Sequence, residues 1–133
     1  MLLATAVFRT VLFPLDQSRA ALDTISTVLQ LVQQHGSQLL LLSVVDSESS
    51  AMADAEAVAQ LLQKAKDTFS QAGVNCEVIE REGKPAFVIG DVADETEADL
   101  IVMGTRGVNL EAAQTSTAAR VIQLAPCPVL VVP

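Results

Sequence analysis

The chain has 133 residues and a mass of 14.0 kDa, the size of one domain spanning residues 1–133. Half of its residues are apolar but only 3% are aromatic, with no Trp and no Tyr, so the core must be built from Leu, Val, Ile and Ala, and intrinsic disorder is excluded. Sixteen acidic against eight basic residues give a net charge of −8, which argues against a sequence-independent nucleic-acid binder and against docking on anionic membranes.

The first expected strand is Thr10–Leu15, and Asp16-Gln-Ser18 follows with turn and N-cap chemistry. Ala21, Leu22, Ile25, Val28, Leu29 and Val32 then recur at helical spacing, and Gly36 stands where a left-handed residue ends a helix. Leu39–Val45 is a continuous apolar run, as expected of a strand covered on both faces. A second helix carries Ala55, Val58, Leu62, Ala65 and Phe69 and ends at Gly73. Asn75–Arg81 alternates only partly, Cys76 and Val78 against Glu77 and Glu80, and so predicts an outer strand. Gly83-Lys84-Pro85 opens a third helix with proline in its first turn, where no donor is lost, and Ile89, Val92 and Ala93 form its inner face. Asp99–Met103 is a fourth strand. A fourth helix is centred on Ala118, Val121, Ile122 and Ala125, and Pro128–Val132 is the last strand.

Strands alternating with helices require parallel pairing through right-handed crossovers. The expected fold is a three-layer α/β/α, Rossmann-like sheet of five parallel strands. The order 3-2-1-4-5 agrees with the outer character of the third strand. The order reverses between strands one and four, and the loops after them diverge into a crevice at the carboxyl edge. Pro14, Leu15 and Asp16 then face Met103 and Gly104, with Val44-Val45-Asp46 as a neighbouring wall.

Gly104-Thr-Arg-Gly107 lets the backbone turn sharply and its amides approach a phosphate; Thr115-Ser116-Thr117, eight residues on, sits at the head of the fourth helix. Together they make an anion seat; singly they read equally as a turn and an N-cap. Asp16 reads either as an acceptor for a ribose or base or as a cap of the first helix with Ser18.

Gly104-Thr-Arg-Gly107, a helix, and then Ala125-Pro-Cys-Pro-Val-Leu-Val-Val132 resemble the C-terminal signature of the universal stress proteins. Val11-Leu-Phe-Pro-Leu-Asp16-Gln-Ser18 and Ser43-Val-Val-Asp46 fit the same family, so the resemblance covers the whole chain. It implies the strand order above, a cytoplasmic homodimer and, in one branch, ATP binding. In that branch Pro14, Leu15, Asp16 and Val44 match positions that hold adenine and ribose. Met103, Gly104 and Gly107 match the first half of the phosphate loop, and Thr115, Ser116 and Thr117 its second half. The ATP-binding pattern has nine residues between Gly-x-x-Gly and a following Gly-Ser or Gly-Thr; this chain has seven, Val108–Gln114, and Thr115 replaces the third glycine. A Cβ there restricts the backbone that a phosphate must approach.

Arg106 is the obvious cation of the loop, whereas Asp16, Asp46 and Glu111 bring negative charge, so a triphosphate would need a divalent ion such as Mg. Two cysteines and one histidine, Cys76, Cys127 and His35, cannot build a four-ligand metal site; the thiols read as small buried apolar residues in strands, with an inter-strand disulfide as the lesser alternative. His35 is expected to meet the carbonyls ending the first helix, Lys84 to be solvated, and Glu95, Glu97 and Asp99 to form a solvated turn. The chain shows no Gly-x-Ser-x-Gly elbow, no nucleophile–base pair, and no signal or membrane-spanning run. The favoured function is a stress-response regulator in which adenine nucleotide is a signal, not a substrate. A dimeric family scaffold without nucleotide, its dimer made through Pro128–Val132, is the close alternative. A flavodoxin-like flavin carrier or a slow phosphohydrolase ranks last, because rings to stack on flavin and paired catalytic groups are both missing.

Overall fold

The computed structural model describes residues 7–105 and 117–133. The elements follow in the order β1 (Thr10–Pro14), α1 (Arg19–His35), β2 (Gln38–Val45), α2 (Ala55–Gln71), β3 (Cys76–Glu82), α3 (Pro85–Glu95), β4 (Leu100–Gly104), α4 (Thr117–Leu124) and β5 (Val129–Val132). All strand pairs are parallel and the order is β3-β2-β1-β4-β5, as the sequence predicts.

Local chemistry sets the helix ends. The Ser18 hydroxyl accepts the Ala21 amide at the start of α1, and Asp54 accepts the Glu56 amide at the start of α2. Gly36 closes α1 at φ +63°, where its own N–H and that of Ser37 both reach the Val32 carbonyl. These bonds satisfy one of the terminal carbonyls among which His35 was expected to find its partner. The imidazole instead lies edge-on to Phe8, with ring centroids 5.4 Å apart.

Side chains alternate between two cores. Val11, Phe13, Leu39, Leu41, Leu100 and Val102 pack under α1 and α2, where Phe69 meets Phe13 edge-to-face at 6.3 Å. Leu12, Leu40, Leu42, Ile101 and Met103 pack under α3 and α4. Every residue of β2 after Gln38 is buried, which is why Leu39–Val45 is continuous instead of alternating. At the free edge, β3 exposes most of its side chains, and Arg81 pairs with Glu95 of α3 at 2.8 Å.

Two expectations are corrected here. Asp99 is not part of a solvated turn: its Oδ2 accepts the amides of Arg9 and Thr10 at 3.0 and 2.9 Å, clasping the start of β1. Cys127 lies in the turn before β5, not in a strand, and both cysteines are free and half-buried. Cys76 belongs to one edge strand and Cys127 precedes the other, so three strands separate them.

Candidate functional site

The crevice begins with a proline. Leu15 donates its amide to Leu42 O of β2 at 2.7 Å, and Asp99 donates to Thr10 O on the β4 side. Backbone polar groups alternate in direction along a strand. Position 14 therefore faces β4, and there Pro14 has no N–H to give. The β1–β4 ladder accordingly stops at Leu12↔Ile101, while the β1–β2 ladder runs on to Pro14↔Leu42. The ladder therefore ends two residues earlier on the β4 side of β1 than on the β2 side, where the strand order reverses.

Past this point the chain turns sharply. Asp16 is exposed, and its Oδ1 accepts the Ser18 amide at 2.8 Å in an Asx turn that leads into the α1 cap. One carboxylate oxygen serves the turn, and Oδ2 has no hydrogen-bond partner among the described residues. Leu15 is buried in the α1–α2 core, and Val44 and Met103 are buried together in the α3–α4 core. Gly104 is still strand, paired with Val132, and Thr105 donates to Val132 O at 2.9 Å, so no turn occurs at that glycine. Thr117 is the first residue of α4 and is half-buried. Arg106, Gly107, Thr115 and Ser116, with the seven-residue spacer, lie outside the described residues.

Two features were not read from the sequence. Ser43, fully buried, donates its hydroxyl to the Leu15 carbonyl at 2.8 Å. Lys84 is exposed, as expected, and its ammonium pairs with Glu48. That pair spans an open depression of about 160 Å³ at the carboxyl ends of β2 and β3, lined by Val45, Asp46, Glu48, Glu82, Gly83 and Lys84. Gly83 adopts φ +142° there, a conformation L side chains rarely take, and a Cβ on it would stand 3.0 Å from Val88 Cγ2, which would have to shift slightly. Among the described residues no three His, Cys, Asp or Glu side chains converge to hold a metal, and no helix is long and apolar enough to cross a membrane.

A five-stranded parallel sheet whose order reverses between β1 and β4, with an acid after the first strand, defines a Rossmann-like α/β protein, a class whose ligands bind outside the carboxyl ends of the strands at such a reversal. Residues 8–133 match the model of the universal stress protein family, and the chain belongs to that family. It is 54% identical to a universal stress protein of Synechocystis over 96% of this chain and 87% of that protein. To one of Methanocaldococcus jannaschii it is 31% identical over 95% of this chain and 82% of the other. Among solved structures, a universal stress protein in complex with cAMP superposes with a TM-score of 0.80 at 25% identity, over 95% of this chain and 97% of that one.

Proposed function

We propose that this chain is a cytoplasmic regulatory protein that holds an adenine nucleotide weakly in the crevice between β1 and β4, the nucleotide acting as a signal. The observation that carries the reading is the reversal of strand order between β1 and β4, with the β1–β4 ladder ending before Pro14 and the exposed Asp16 carboxylate just beyond it. The similar structure bound to cAMP supports the same ligand class, since cAMP presents adenine, ribose and phosphate together. Pro14, Leu15 and Val44 would take the adenine, Asp16 a ribose hydroxyl, and Met103, Gly104, Arg106, Gly107 and Thr115–Thr117 the phosphates. Mg would accompany a triphosphate to offset Asp16 and Asp46.

The seven-residue spacer and Thr115 favour weak binding, and they are the specific grounds for the second reading, a family scaffold without nucleotide. Equilibrium binding of ATP, ADP and AMP to nucleotide-free protein, with and without Mg, separates the two. The expected dissociation constants are micromolar or weaker. Asp16→Ala should weaken binding about tenfold, the typical loss of a hydrogen bond to a charged group. Sub-micromolar ATP binding would contradict the weak-binding reading, and no binding at millimolar nucleotide would leave the scaffold. An Asp16→Ala protein of unchanged affinity would reduce that residue to its turn.

A further inference from the structure

Ser43 interrupts an otherwise aliphatic strand, and a buried hydroxyl is costly unless it is bonded. Its partner is the Leu15 carbonyl at 2.8 Å, 28 residues away in sequence. The Leu15 amide is held by the neighbouring residue of β2, through Leu42 O at 2.7 Å. Leu15 is therefore clamped at both ends of its backbone by consecutive residues of one strand, and its side chain is buried besides. The peptide unit is planar, so fixing the Leu15 oxygen also fixes the N–Cα bond of Asp16. On its other side Asp16 is held through Oδ1 by the Ser18 amide. Without the Ser43 bond the backbone of Leu15 would keep only its amide bond to β2, because the ladder to β4 ends at Leu12.

We infer that Ser43 is a positioning residue: acting through the Leu15 carbonyl, it aims the Asp16 carboxylate at the hydroxyls of a ribose-bearing ligand. This rests on the reading that the crevice takes a nucleotide. Ser43 itself is buried beneath the segment and touches no ligand.

The test compares ATP with 2′,3′-dideoxy-ATP on the full chain. Ser43→Ala should lower affinity for ATP about tenfold, while affinity for the dideoxy analogue, which lacks the hydroxyls, should stay within about twofold. If Ser43 works through Asp16, Ser43→Ala placed on Asp16→Ala should cost nothing further for ATP. Equal losses for both nucleotides, additive losses in the double variant, or unchanged ATP binding would overturn the inference. If Ser43→Ala fails to fold, Ser43→Cys, of similar volume and a weaker donor, is read in the same way. If the wild-type protein binds neither nucleotide, the nucleotide reading falls, and ligand-free amide exchange decides on Ser43 alone. The hydrogen-bonded amides of Leu15 and Ser18 should then exchange about tenfold faster in the variant, with β3 and α3 unchanged. Unchanged exchange at Leu15 and Ser18 would overturn the positioning role.

Discussion

Asp99 shows how a charged residue before a strand does structural work. Its carboxylate takes two amides that β1 leaves unpaired at its start, from residues 90 and 89 positions away. The cysteines respond to their surroundings differently. Burial pushes both thiols above their ordinary pKa; Lys66 opposes the shift at Cys76, and Asp99 adds to it at Cys127. A thiol that holds its proton more tightly in the folded chain contributes stability that is intact at neutral pH. That contribution is lost as pH rises past the ordinary thiol value, about 8.5, towards the raised one. A Cys76→Ala/Cys127→Ala protein should therefore lose less stability than the wild type between about pH 8.5 and 10, read from urea midpoints. Parallel pH profiles would show that the thiols are not the cause.

At the scale of elements, the two helix pairs are not equivalent in what they bury. The face under α1 and α2 carries Phe13 and Phe69, both fully buried, whereas aliphatic side chains fill the face under α3 and α4. Phe69 joins α2 to the middle of β1 at the strand that leads into the crevice. Phe69→Ala should cost about 3–5 kcal/mol in denaturant unfolding, through lost transfer energy and the cavity left behind. A loss well under 1 kcal/mol would mean that α2 collapses onto the sheet to refill the space. The edges also differ. β3 carries Glu77, Glu80, Arg81 and Glu82, charges that discourage edge pairing, while Val129–Val132 of β5 has none.

That difference bears on the whole molecule. β5 is paired with β4 along one side only, and its side chains are exposed to half-buried, with Leu130 at 37% exposure. We propose that a second copy covers this edge, with antiparallel pairing of the two final strands across a two-fold axis. Light scattering at low micromolar concentration should report about twice 14.0 kDa. Leu130→Lys and Val131→Asp should each shift the protein towards monomer. A wild-type chain that stays monomeric at high concentration would remove the proposal.

Much of the architecture was legible in the sequence because it rests on local or periodic signals. The unbroken run Leu39–Val45 marks a strand covered on both faces, Ser18 and Gly36 bracket a helix, and the partial alternation of Asn75–Arg81 marks an outer strand. These signals give an alternating parallel sheet but not its strand order; 3-2-1-4-5 fits the outer third strand and is what the family resemblance implies, and the structure has that order. The particulars of the site are another matter. That Ser43 holds Leu15, that Asp99 clasps Thr10, that Lys84 meets Glu48, and that Pro14 turns its missing donor towards β4 all depend on strand register and on which side of the chain faces which neighbour. Hydrogen bonds and ion pairs between distant residues leave no period in a single sequence, because each is set by where two separate elements come to rest. Burial of apolar side chains repeats with the backbone and can be read along the chain; the placing of single polar groups is decided only when the sheet is assembled.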